Sequence, residues 1–228
     1  MLELAFTTPS DGEYRVLCLG AHCDDIEIGC GGTLLKLARA IPNLTVRWEV
    51  FSSTPVRERE ARLSAQAFLR DVAHPTVSVH AFRDGFFPSL TTEIKEHFEW
   101  LKGEFAPDLI FTHYRNDLHQ DHRVIAELTW NTFRNHFVLE YEVPKYDGDF
   151  GQPNVFVALE DHLCQQKMQY LQEYFVTQRE KSWFCPQIFS AVLRLRGMEA
   201  SAPTHFAEAF YCRKLRLRLL PTPPNTDQ

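Results

Sequence analysis

His22, Asp24 and Asp25 lie within one short stretch of the chain, and His119, Asp121 and His122 within another. Imidazoles and carboxylates at that density exceed what a loop needs for solubility. Together the two groups supply three ligands for a divalent metal and leave a carboxylate and an imidazole over. A zinc hydrolase needs that set: three protein ligands with an open position, a base for the bound water, and a group to stabilise the oxyanion. His22 and Asp25 are three apart, a spacing that one tight turn can aim at a common ion. Asp24, between them, points differently and is free to contact a bound water. His122 is the natural third ligand, and His119 lies about one helical turn away, near the ion without necessarily binding it. Adjacent acids alone are more often a solvated turn or a helix cap. The metal reading therefore rests on the two groups meeting, and they are far enough apart in sequence that only the fold can join them.

The elements that would join them alternate between strand-like and helical patterns, the arrangement of an α/β sheet with helices on both faces. Strands are expected at residues 15–20, 46–51, 77–82, 109–112, 137–141, 155–159 and 207–212. Helices are expected at 32–40, 55–69, 92–105, 121–133 and 163–175. The first chemical group follows the first strand and the second follows the fourth. Ligands of open α/β sheets gather beyond the carboxyl ends of strands, where both groups fall. The segment 143–154 is rich in Pro, Gly and Asp and is a candidate rim or lid, with Tyr146 and Asp147 available to a substrate.

A chain of 228 residues, 44% hydrophobic with 18 Phe, suits one good-sized domain, read here as 1–220 with a frayed tail at 221–228. The net charge of −6 argues against a nucleic-acid partner. Six scattered cysteines without a CxxC pair argue against a disulfide framework and a cysteine-only metal site. The start of the chain has no basic region of a signal peptide, and no uncharged apolar stretch is long enough to span a bilayer. The chain thus reads as soluble and cytoplasmic, with monomer and homo-oligomer both open.

The segment Ala21-His22-Cys23-Asp24-Asp25-Ile26-Glu27-Ile28-Gly29-Cys30-Gly31-Gly32-Thr33-Leu34 resembles the Ala-His-Pro-Asp-Asp-Glu…Gly-Gly-Thr motif of the LmbE-like, or PIG-L, family of zinc-dependent N-acetylglucosaminyl deacetylases. His119-Gln120-Asp121-His122 is similar to that family's His-Pro-Asp-His motif. The resemblance implies a Rossmann-like, mostly parallel sheet with zinc on His22, Asp25 and His122, other divalent metals being able to substitute. It implies Asp24 as general base, His119 as the imidazole that stabilises the oxyanion or protonates the leaving amine, and Asp121 as the group that orients that imidazole. The substrate class so implied is a small N-acetylated amino sugar or glycoside. Cys23 and Gln120 replace prolines of the motifs, Ile26 displaces the usual Glu, and the substrate segment after the second strand shortens to Ser52-Ser53-Thr54-Pro55.

Simpler readings stand beside these. Gly29, Gly31 and Gly32 match neither GxGxxG nor a P-loop, so helix packing explains them better than a phosphate cradle. His113 is second to the metal or plainly structural. Asp117 either closes a turn or faces the pocket with a substrate, and Arg57 either clamps a substrate or sits on a solvated helix face. Cys23 is a possible soft ligand. Rival functions are a zinc amidase acting on a non-sugar acylated amine and a nucleotide-binding module without hydrolysis.

Overall fold

Val16, Leu17, Cys18 and Leu19 are all fully buried, so the strand Tyr14–Gly20 (β1) carries apolar side chains on both faces. A strand of that kind must lie inside a sheet covered on both sides. The computed structural model, which describes residue 3 and residues 12–216, places it there. Leu44–Val50 (β2), His74–Val79 (β3), Leu109–His113 (β4), Phe137–Tyr141 (β5), Val155–Leu159 (β6) and Phe206–Tyr211 (β7) complete a seven-stranded sheet of order β3-β2-β1-β4-β5-β7-β6. The first five strands are parallel, and β7 runs antiparallel between β5 and β6.

The helices are Asp25–Ala40 (α1), Pro55–Phe68 (α2), Thr91–Glu104 (α3), Gln120–Thr132 (α4), Asp161–Tyr174 (α5) and Pro186–Glu199 (α6). Alternation along the strands divides the interior into two cores. Val16, Cys18, Val46 and Trp48 pack with Ile26 and Leu34 of α1 and Phe68 of α2. Leu17, Leu19, Phe51 and Ile110 pack with Phe98 of α3 and Ile125 of α4 on the other face. Burying each such side chain is worth roughly 1.5–3 kcal/mol, which sets the register of the central strands. Because β2 lies on one side of β1 and β4 on the other, the chain changes direction between β1 and β4. The crevice at their carboxyl ends is the switch point of the sheet.

Several sequence expectations shift here. The first helix begins at Asp25, not near residue 32, so the glycines lie inside α1 rather than in a loop before it. Their use is close approach. A Cβ on Gly29 would sit 2.1 Å from the Tyr141 ring, and one on Gly32 would sit 2.5 Å from Leu159 and 2.9 Å from Glu208. No phosphate cradle exists at these positions. The third strand is centred earlier than expected, at the residues that pair in register with Thr45–Val50. Helix α6, opened by Pro186, was not foreseen. The expected tail at 221–228 lies outside the described residues.

Helix α1 is fastened at mid-length by a buried ion pair. Glu208 accepts the amides of Gly32 and Thr33 at 2.8 and 2.6 Å, and Lys167 Nζ donates to Glu208 and to the Ile28 carbonyl, both at 2.6 Å. Glu208 is thus a core fastening on β7.

Candidate metal centre

The carboxyl end of β1 delivers His22, and the turn into α1 makes Asp24 the N-cap and Asp25 the first helical residue. The positive end of a helix favours carboxylates at this position. From β4 the chain passes through the turn 114–118 to His119, the N-cap of α4, whose first turn carries Asp121 and His122. The two groups meet across the switch point. His22 Nδ1 is 3.2 Å from His122 Nε2 and 3.4 Å from Asp25 Oδ2, and His122 Nε2 is 3.5 Å from Asp25 Oδ1.

Those separations provide a test of fit for a metal. A tetrahedral zinc with N and O ligands at about 2.0–2.2 Å requires ligand-to-ligand edges of roughly 3.3–3.6 Å. The two ring nitrogens stand 3.2 Å apart, close to that range, and Asp25 turns one carboxylate oxygen to each ring, Oδ2 at 3.4 Å from His22 and Oδ1 at 3.5 Å from His122, so a small shift of the carboxylate brings a single oxygen to both. The opposite nitrogens of both rings face carboxylates, as metal-bound histidines require. His22 Nε2 is 3.1 Å from Asp84 Oδ1 and 3.3 Å from Asp121 Oδ2, and His122 Nδ1 is 2.9 Å from Asp117 Oδ2. Burial opposes charge on His22, but hydrogen bonds to Asp121, Asp25 and Asp84 outweigh it and hold its pKa well above the ordinary value. Burial and the neighbouring His113 push His122 down to about 3, toward the neutral form that binds metals. The site favours positive charge and offers ligands for it.

Asp24 faces the cavity with its side chain almost wholly buried. Arg57 Nη2 holds Oδ1 at 3.1 Å, while Oδ2 finds no hydrogen-bond partner among the described residues. Burial raises the pKa of Asp24, Arg57 draws it back and Asp25 pushes it up again. His119 Nδ1 accepts the Asp121 amide at 3.3 Å, which leaves Nε2 as the protonated nitrogen of the neutral ring. Burial, then the nearby His22, lowers its pKa.

Other side chains take different places from those expected. Asp117 does not line the cavity; the turn closed by its amide on the Tyr114 carbonyl folds it beneath α4. There it accepts from His122, from the His119 amide at 2.8 Å and from Lys145 at 3.0 Å. Asp121 donates its backbone amide to His119 Nδ1. Its carboxylate accepts the Gly85 and Phe87 amides and turns to His22. Arg57 is not a solvated face residue: it borders the cavity, with Nη2 held by Asp24 Oδ1 at 3.1 Å. Cys23 donates to the Ser52 carbonyl at 3.3 Å, and burial pushes its thiol up to about 12. His113 is fully buried behind Asp25, where Nε2 accepts the Ala21 amide at 2.9 Å.

The centre opens into a cavity of about 530 Å³ bordered by Ser52, Thr54, Tyr146, Asp147, Lys181 and Trp183. Tyr146 and Asp147 are where the rim reading put them. Lys181 and Trp183 were missed, since nothing local in the segment before α6 points to a site. Asp84 was missed too, although an Asp-Gly pair just past a strand was a signal for a turn at the crevice.

The sequence profile of the family described as PIG-L, GlcNAc-PI de-N-acetylase, matches residues 17–133, just over half of the chain. The chain belongs to the PIG-L family. Both halves of the centre lie inside the matched region. This PIG-L protein is 24% identical over 184 residues to a protein named uncharacterized deacetylase YaiS from Escherichia coli K12, covering 76% of this chain and 97% of that one. Its fold is similar to that of an N,N'-diacetylchitobiose deacetylase from Pyrococcus horikoshii, with a TM-score of 0.66, 17% identity, and coverage of 90% of this chain and 85% of the other. It is also similar to GalB, a 4-carboxy-2-hydroxymuconate hydratase from Pseudomonas putida, with a TM-score of 0.70, 14% identity, and coverage of 91% and 99%. The fold hosts more than one reaction, so the chemistry of this PIG-L member must be argued from its side chains. No helix among its described residues is long and apolar enough to cross a membrane.

Proposed function

We propose that this PIG-L protein is a zinc-dependent hydrolase that removes the acetyl group from the 2-amino group of a small amino sugar or glycoside. The observation that carries the reading is the triangle of His22 Nδ1, Asp25 and His122 Nε2, with the unpaired Oδ2 of Asp24 beside it. Zinc held by those three residues would supply a Lewis acid that lowers the pKa of a water in its open position toward about 7 and polarises a carbonyl.

The protein's own groups do the rest. Asp24 Oδ2 takes a proton from the water as it adds to the acetyl carbon. Its raised pKa brings it nearer the operating pH, and Arg57 keeps Oδ1 from rotating in as a competing acceptor. His119 donates its Nε2–H to the carbonyl oxygen as that oxygen becomes negative. It acts as a neutral donor, since burial lowers its pKa, rather than as an imidazolium. Asp24 then returns the proton to the departing nitrogen as the C–N bond breaks, giving acetate and a free amine.

The sugar assignment is supported by the cavity, whose size lies in the range of small-molecule sites and whose rim presents Trp183 and Tyr146 beside polar Ser52, Thr54 and Asp147. The named activity of the similar chitobiose deacetylase points the same way. Acetate release from N-acetyl sugars, nucleotide sugars and non-sugar acylated amines tests it. Turnover confined to non-sugar amines would keep the chemistry and discard the substrate class.

A further inference from the structure

A second group of ligand-type side chains lies outside the crevice, on the face of the sheet covered by α3. Glu49 of β2 is fully buried there, and Arg47 Nε holds its Oε1 at 2.7 Å. Its other oxygen, Oε2, is 2.8 Å from His80 Nε2 and 3.2 Å from His97 Nε2. The three residues come from β2, the segment after β3, and α3. Their ligand atoms all lie within 4.8 Å of one another, and the two imidazole centroids are 4.2 Å apart. We propose that Glu49, His80 and His97 form a second binding site for a divalent transition-metal ion, separate from the PIG-L centre.

The donor set of two imidazoles and a carboxylate suits zinc, cobalt, nickel or copper, and does not suit magnesium or calcium. Arg47 fixes the oxygen that faces away from the histidines, which orients Oε2 toward them as an outer partner of a ligand carboxylate does. The side chains of His80 and His97 are 26% and 15% exposed, so water reaches the outer side and can complete the coordination. The inner side is dry: the fully buried Phe51 lies 5.8 Å from the His80 ring and 5.6 Å from that of His97. An ion here ties α3 to the sheet. It also braces one wall of the crevice, because Ser53 Oγ donates to the His80 carbonyl and Ser53 lines the cavity. Two neutral imidazoles that merely donate Nε2–H to Oε2 are the alternative that experiment must separate.

Metal-stripped protein equilibrated with zinc and analysed by mass spectrometry of the metal should hold about two ions per chain. His122→Ala should hold about one, as should His97→Ala and His80→Ala, and His122→Ala/His97→Ala about none. A wild-type content of about one that neither His80→Ala nor His97→Ala changes would overturn the proposal. Failure of the PIG-L centre instead would leave His97→Ala reducing the content and His122→Ala without effect. Because a variant at the sheet face can misfold, the unmutated protein supplies a second reading. Long-range proton–nitrogen spectra should show the Nε2 resonances of His80 and His97 moving together on zinc addition, and unmoved resonances under saturating zinc sink the site.

Discussion

Replacing Asp117 by Asn tests whether the carboxylate beneath α4 serves the metal or merely the turn. Asp117 Oδ2 lies 2.9 Å from His122 Nδ1, and its Oδ1 accepts the His119 amide at 2.8 Å. Asn keeps an acceptor for one of these but removes the charge. A charge-assisted hydrogen bond contributes about 1.5–3 kcal/mol against about 1 for a neutral one, and the carboxylate also makes the far nitrogen of the ring a better donor to a metal. The variant should therefore bind zinc more weakly by about 1.4–2.8 kcal/mol, or 10–100-fold. Lys145 is not stranded by the change, since Asp149 Oδ2 holds it at 2.6 Å, so the loss reports on His122. A chelator competition titration reads the affinity directly, with turnover at saturating zinc expected to fall far less than affinity at limiting zinc. Unchanged zinc affinity in a folded Asp117→Asn protein would refute the reasoning and return Asp117 to a turn residue.

Three further outcomes are expected. Asp24→Asn should retain metal and lose about 10²–10⁴-fold in turnover, because the amide accepts no proton; metal content falling in step with activity would make Asp24 a ligand instead. Lys167→Met strands the buried Glu208 carboxylate against α1 and should cost about 3–5 kcal/mol in urea unfolding, whereas a cost below about 1 kcal/mol would mean water reaches the pair. Burial opposes charge on Glu49, but hydrogen bonds from His80, His97 and Arg47 overcome it and hold its carboxyl well below the usual range. Its stabilising contribution is therefore present above the unfolded pKa of about 4.3 and lost as pH falls below it, so metal-free Glu49→Gln should show a shallower acid loss of stability than wild type. Identical slopes from pH 6 to pH 3 would contradict that.

The two chemical groups were legible because each sits in a few consecutive residues after a strand, and a parallel α/β sheet brings such strand ends together. That is enough to bring His22, Asp25 and His122 to one place. The partners of those residues were not legible, because they depend on how two turns close. Asp117 folds under α4 through the Tyr114 turn, and Asp121 reaches His22 because the loop at Gly85, with φ of 79°, brings its amides across. The start of α1 was hidden for a different reason. Glycines at 29, 31 and 32 lower helix propensity, and only the approach of Tyr141, Phe68, Leu159 and Glu208 makes them necessary inside a helix. Lys181 and Trp183 reach the rim through the placement of α5 and α6, which no local pattern encodes.

The central claim, that zinc on His22, Asp25 and His122 enables acetyl hydrolysis, is tested most directly by following acetate release while metal-stripped protein is titrated with zinc. Stripped wild-type protein should release no acetate from an N-acetylated amino sugar and should recover turnover as zinc binds, while folded His122→Ala should stay inactive throughout the titration. Equal acetate release before and after zinc addition, or full recovery by His122→Ala, would contradict the account.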